Sequence, residues 1–269
     1  MTYALRRTET LNGEQLRSML ADNPSRAAQA ILSAAKARLV DAQALLGQLL
    51  LDGTGIQKDP ALAVVWFQIA ARNGHVMAHN MLGRCYEQGW GGELDLARAA
   101  VHYQTAAEAG LDWGLYNIAN LLATGRGVAQ DQTQALECYR KAAHMGHAKS
   151  MNLLGRYLEE GRYCAVDIPA AHEWYRRSAE AGDFRGQFSY AAVLAEQHLI
   201  PDALTWLDRA LMSGNLNFLR VSRTHLLYAK HPEIRAKASC YHRRAAELGS
   251  ESDRVAQALI ETVPDVNAS

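Results

Sequence analysis

Glycine returns every 36 residues through the middle of this chain. Gly53, Gly89, Gly125 and Gly161 make one series. Gly74, Gly110, Gly146 and Gly182 make a second, which Gly214 and Gly249 extend in steps of 32 and 35. Asp59, Asp95, Asp131 and Asp167 make a third series at the same interval. Self-similarity at this period marks a chain of repeating supersecondary units, each of which buries its apolar face only against its neighbours.

One unit shows how the residues specify the structure. In the stretch 41–74, Ala42, Leu46, Leu49 and Leu50 stand at helical spacing and predict a first helix, A. Gly53 follows, where a helix ends in a left-handed residue at little steric cost. After a short loop, Asp59 is placed to cap a second helix, B, and Pro60 suits its first turn. Leu62, Val65, Trp66 and Ile69 are the expected apolar face of helix B. The small pair Ala70-Ala71 lets a neighbouring helix approach, and Gly74 ends the unit. Later units repeat these signals: Leu82-Gly83, Ile118-Ala119 and Leu154-Gly155 in helix A; His102-Tyr103, Cys138-Tyr139 and Trp174-Tyr175 in helix B; Ala106-Ala107, Ala142-Ala143 and Ser178-Ala179 as the small pair.

This pattern resembles the Sel-1-like repeat, a branch of the tetratricopeptide-repeat superfamily. The unit 114–146, with Gly125-Arg126-Gly127-Val128, Asp131, Tyr139 and Ala142-Ala143, carries the resemblance best. It extends over roughly 41–250. The expected fold class is all-α, a right-handed α-solenoid of stacked helix-turn-helix repeats. Four organisational parts are expected: an N-terminal tail and capping helices with a partial repeat in 1–40, four regular repeats in 41–183, two degenerate repeats in 184–249, and a capping helix and tail in 250–269. In 1–40, residues 25–40 look like a further helix B, with 11–19 as its partner. In the tail, 252–261 has Val255 and Leu259 on one face before Pro264. The two degenerate units lack the Gly-x-Gly loop.

Composition narrows the function. Basic and acidic residues number 28 each, so the formal charge is zero, which argues against a nucleic-acid partner. The Arg6-Arg7 pair has no apolar run behind it, and the apolar run 44–51 is too short for a bilayer. No membrane insertion and a cytoplasmic location are expected. Cys85, Cys138, Cys164 and Cys240 show no paired spacing and read as core fillers in a reducing compartment.

Catalytic vocabulary is sparse. The Gly-x-Gly loops follow helices rather than strands, so helix termination explains them better than phosphate binding. Ser33-x-x-Lys36 matches the Ser-x-x-Lys of penicillin-interacting serine enzymes, but the Ser-Asp-Asn and Lys-Thr-Gly partners are missing. Some cysteine-rich members of the resembled family are connected with β-lactam binding, yet their regular cysteine pairs are absent here. His75 with His79 and His144 with His147 have chelating spacing without a Glu partner, and His225, His231 and His242 fall together in the least regular unit. Solvated or core histidines are the better reading. No catalytic residue, metal or cofactor is expected, and the chain reads as a non-enzyme of bacterial flavour.

In tetratricopeptide-like solenoids the A helices line the concave wall, and the resemblance implies the same here. Columns at the repeat interval would face it: Asp41, Met77, Trp113, Lys149 and Arg185; Ala44, Asn80, Tyr116, Asn152 and Phe188; Gln48, Arg84, Asn120, Arg156 and Ala192; Leu51, Glu87, Ala123, Glu159 and Ala195. Asn80, Arg84, Trp113, Tyr116, Asn120, Lys149, Asn152 and Arg156 are the expected partner-binding residues. The aromatics offer area, the amides offer bonds to a peptide backbone, and the guanidinium groups hold an acidic side chain or C-terminus. The expected function is a non-catalytic adaptor or scaffold binding a protein or peptide. The alternative is a binder or hydrolase acting on a small molecule or cell-wall fragment near the irregular repeats.

Overall fold

A computed structural model of the chain describes residues 13–262, with side chains from 18 to 258. Arg6, Arg7, Leu11 and Pro264, and the side chain of Leu259, lie outside the described residues. Within them the fold is all-α: fifteen helices and no strand. The chain divides into two compact units, Met1–Asp131 and Gln132–Ser269. No helix among the described residues is long and apolar enough to cross a membrane.

The first unit contains α1 (Gly13–Asp22), α2 (Pro24–Lys36), α3 (Val40–Asp52), α4 (Pro60–Arg72), α5 (Val76–Gln88), α6 (Leu96–Glu108) and α7 (Asp112–Thr124). Each helix packs on the next in sequence, so α3 and α4 form one A/B pair and α5 and α6 another. The second unit contains α8 (Gln132–His144), α9 (Ala148–Glu160), α10 (Ile168–Glu180), α11 (Phe184–Glu196), α12 (Ile200–Ser213), α13 (Leu216–Leu227), α14 (Pro232–Leu248) and α15 (Glu251–Thr262). Here α9 also meets α11 and α12 meets α14, so like helices lie side by side as repeats stack. Such stacked helix pairs are the construction of an α-solenoid.

The local signals act as the spacing predicts. Gly53 closes α3 in the left-handed region, φ 80°, and its amide bonds the carbonyl of Leu49. Asp59 accepts from the Leu62 amide at 2.9 Å, Asp95 from Arg98 at 2.9 Å and Asp167 from Ala170 at 3.0 Å. The A helices start on a different device. His75 Nδ1 accepts from the Ala78 amide at 3.0 Å, and His147 Nδ1 from the Ser150 amide at 3.3 Å. Both histidines thus serve as N-caps, which accounts for two members of the candidate chelating pairs.

The buried face of helix B differs from the expected one. Leu62 and Val65 are 41% and 46% exposed, whereas Ala63, Phe67, Ala70 and Ala71 are buried. The reason lies across the pair, where Gly47 on α3 leaves room for the Phe67 ring. A Cβ at Gly47 would sit 2.7 Å from that ring, and one at Gly83 only 2.5 Å from Tyr103. Gly155 makes the same allowance for Tyr175, at 2.6 Å. The recurrent Leu-Gly of helix A and the aromatic of helix B are therefore one interlock, and it sets the face of helix B that turns inward.

The end regions are helical in Pro24–Lys36, shorter than the expected 25–40 because the chain turns at 37–39, and in Glu251–Thr262, but Val255 is exposed. Asp253 fastens α15 instead. It is 1% exposed and takes a two-pronged bond from Arg220 on α13, at 3.0 and 2.6 Å. The Ser250 amide adds a bond at 3.1 Å.

Candidate functional site

In the second unit, α9, α11 and α13 line a groove of about 600 Å³. Asn152, Arg156 and Glu159 come from α9, and Arg185, Phe188, Ala192 and Glu196 from α11. Asn217, Phe218, Val221 and His225 come from α13. Those from α9 and α11 recur at steps of three or four, which puts them on one face of each helix. The groove floor is aromatic: the Phe188 and Phe218 rings meet edge to face at 5.7 Å, with Tyr241 behind both at 6.3 and 6.2 Å.

The groove carries charges of both signs. Arg185 stands in the first turn of α11, with its guanidinium 4.8 Å over Phe184. Arg156, 55% exposed, reaches Glu160 at 3.6 Å. Toward the helix C-termini stand Glu196 and Glu159, whose carboxylate accepts from the Tyr175 hydroxyl at 2.7 Å. Burial, and then that bond, hold the Tyr175 phenol protonated far above its ordinary range. Negative charge is therefore favoured around Arg185, where the α11 N-terminus bears positive partial charge itself, whereas Arg156 stands in the C-terminal half of α9.

The expected partner-binding residues separate into three groups. Arg156 and Asn152 lie together on this groove wall, while Lys149 is half-buried near Asp183. In the first unit, Trp113 is 40% exposed and meets Tyr116 edge to face at 6.2 Å, with Asn120 half-buried on the same helix. Arg84 is exposed, but its guanidinium lies 5.2 Å over the Trp90 ring.

The amides require a correction. Asn80 and Asn152 are only 3% and 4% exposed. Asn80 Oδ1 accepts from Asn117 Nδ2 at 2.8 Å, and Asn152 Oδ1 accepts from Ser189 Oγ at 2.9 Å. Both bonds join one A helix to the next at a separation of 37 residues. A buried amide carbonyl needs a donor, and the neighbouring repeat supplies it. These acceptors are thus committed to stacking rather than held out to a peptide. Leu51, from the same set of columns, is also buried, at 8% exposed.

The α13 contribution was not legible in the columns. The step of 32 from Gly182 to Gly214 breaks the register, so extrapolation of the columns by 36 reaches Val221 but misses Asn217, Phe218 and His225. Spacing within α13 itself carries the signal: 217 and 221, and 218, 222 and 225, each share a face.

The remaining motifs take structural places. Ser33 Oγ donates to the Gln29 carbonyl at 3.0 Å, as an exposed helical serine does. All four cysteines are free, and burial pushes the Cys85 thiol up to about 11. Among the described residues no group of three or more His, Cys, Asp or Glu is placed to hold a metal ion. His225 and His231 line one pocket, while His242 is buried in α14 with neither ring nitrogen hydrogen-bonded.

The Sel1 repeat pattern matches residues 40–75, 76–111, 114–147 and 148–183. The chain belongs to the Sel1 repeat family. Among solved structures it is similar to a Sel1 repeat protein from Oxalobacter formigenes, at 23% identity and a TM-score of 0.72, covering 91% of this chain and 100% of that one. It is also similar to a protective antigen present in uropathogenic Escherichia coli strains, described as displaying an SLR fold. There the identity is 26% and the TM-score 0.66, over 92% of this chain but only 56% of that one. An immunity protein from Pseudomonas aeruginosa shares the fold at 18% identity and a TM-score of 0.51, covering 80% and 83% of the two chains. No curated protein matches the chain by sequence.

Proposed function

We propose that this Sel1 repeat chain is a non-catalytic adaptor that binds a peptide segment of another protein along the groove of α9, α11 and α13. The observation that carries this reading is the groove's composition. It has an aromatic floor of Phe188 and Phe218, with the exposed arginines Arg185 and Arg156 and the carboxylates of Glu159 and Glu196 along its walls. Rigid helices position these groups, so a partner would lose little of its affinity to ordering the site. Aromatic and arginine side chains are the groups that most often dominate interface energetics. Trp113 and Tyr116 give the first unit a second aromatic patch for the same kind of contact. Groove charges of both signs and zero net charge favour a protein over a polyanion. Four free cysteines fit a reducing compartment, and we place the adaptor in the cytoplasm on that ground.

A photo-crosslinking amino acid at Ala192, in the groove, tests the reading against the same amino acid at Met212, which is 81% exposed on α12. A partner captured from Ala192 and not from Met212, and lost when Arg156 and Arg185 are both changed to Glu, is the expected result. Equal capture from both positions, unaffected by the arginine changes, would refute the groove as the binding surface.

A further inference from the structure

The four regular repeats join helix A to helix B through seven-residue loops, 53–59, 89–95, 125–131 and 161–167. In the first unit the second glycine of each loop presses onto the first residue of the preceding B helix. Gly55 lies against Pro24, Gly91 against Pro60 and Gly127 against Leu96, each too close to admit a Cβ. An apolar loop residue such as Ile56 then packs against the core. The loop is therefore a plug for the end of the stack. In α11–α12 and α13–α14 the connections shrink to 197–199 and 228–231. Three and four residues are too few to form that plug.

A pocket of about 560 Å³ opens at these two connections. Phe188, Ala192, Ala195, Leu207, Leu226 and Ile234 make it apolar. Around it stand His198, His225, Lys230 and His231, with Glu196. Phe188, Ala192, Glu196 and His225 also line the groove of α9, α11 and α13, so the two spaces adjoin.

We propose that this pocket takes a bulky apolar anchor residue from the same peptide that lies in the groove. The partner supplies the plug that the shortened connections omit. This inference rests on the groove reading and adds a sequence requirement to it. Arg185 and Ala195 are ten residues apart on α11, which at a helical rise of about 1.5 Å per residue is roughly 15 Å. An extended peptide advances about 3.3 Å per residue, so roughly four to five residues span that distance. The bound segment therefore carries an acidic residue for Arg185, and a Leu, Ile, Phe or Met four or five positions away.

A random dodecapeptide phage library panned on the full chain tests this. Enriched peptides should share the acidic and apolar positions at that spacing. Ala195→Trp and, from the opposite wall, Ala229→Trp each fill the pocket. In variants whose circular dichroism and melting match the parent, they should weaken an enriched peptide more than tenfold. Panning on either variant should retain the acidic residue and lose the apolar one. Enriched peptides with an acidic residue but no fixed apolar position would overturn the anchor and leave the groove standing. So would unchanged affinity in both pocket-filled variants. Failure to enrich any peptide, or enrichment indifferent to Arg156→Glu with Arg185→Glu, would overturn the groove and the anchor together.

Discussion

Gly83 and Gly74 are both glycines of the repeat, yet they are required for different reasons. Gly83 is helical, and a methyl group there meets the Tyr103 ring at 2.5 Å. Gly83→Ala should destabilise the first unit by about 1–3 kcal/mol through overpacking, read as a lower urea midpoint. Gly74 has φ 84° and nothing within 4 Å of an added Cβ, so Gly74→Ala carries only the left-handed strain of about 1 kcal/mol. His242 gives a residue-scale pH dependence. Burial, and then the Arg223 charge, lower its pKa below the ordinary value. Above about pH 6.5 the ring is neutral in both folded and unfolded chains, so it adds no penalty. Below that pH only the unfolded chain takes up the proton, and folding stability falls as pH falls towards the lowered folded value. His79 and His102 are also lowered and act in the same direction. Thermal melts of the parent and His242→Phe between pH 7.5 and 5 should therefore differ in slope, with the variant flatter.

At the scale of the element, caps explain where helices begin, and the sequence announced those of the B helices. Asp95→Ala should cost about 1 kcal/mol, since the Arg98 amide loses its acceptor. The A helices begin at equivalent positions with unlike residues: Leu39, His75, Leu111, His147 and Asp183. Leu39 makes no side-chain capping bond and is 59% exposed. Leu39→Asp should accordingly stabilise the first unit by about 0.5–1 kcal/mol, visible as a raised urea midpoint. A histidine cap was not legible because histidine is a rare choice, and the sequence favoured solvated or core histidines over chelation without pointing to a capping role. The B-helix face was misplaced for a related reason. Periodicity identifies an apolar stripe, but Leu62 and Val65 satisfy helical spacing as well as Ala63 and Phe67 do. Only the glycine opposite decides which stripe turns inward.

At the scale of the whole molecule, repeats are stabilised by their neighbours, so an end needs a fastening of its own. In the second unit that fastening is Asp253 on α15, held by Arg220 and the Ser250 amide, with Arg223 3.3 Å away. These partners hold the Asp253 carboxyl well below the usual carboxylate range. The stability it adds is present above the ordinary carboxylate pKa and is lost as pH falls through the lowered one. Asp253→Asn should strip hydrogen-exchange protection from α15 and the facing part of α13, while α9 and α10 keep theirs. Equal loss across all four helices would show that the unit opens as one body.

The sequence by itself determined the repeat: its period, its all-α class, the left-handed glycine stops and the aspartate caps. These are local requirements, each met within a few residues of the one that imposes it. The register of the buried faces, the commitment of Asn80 and Asn152 to stacking, the α13 side of the groove and the open pocket at the shortened connections were decided only in three dimensions. Each depends on which residues of a different helix come to stand opposite, and a one-dimensional period holds no record of that once a repeat loses four residues.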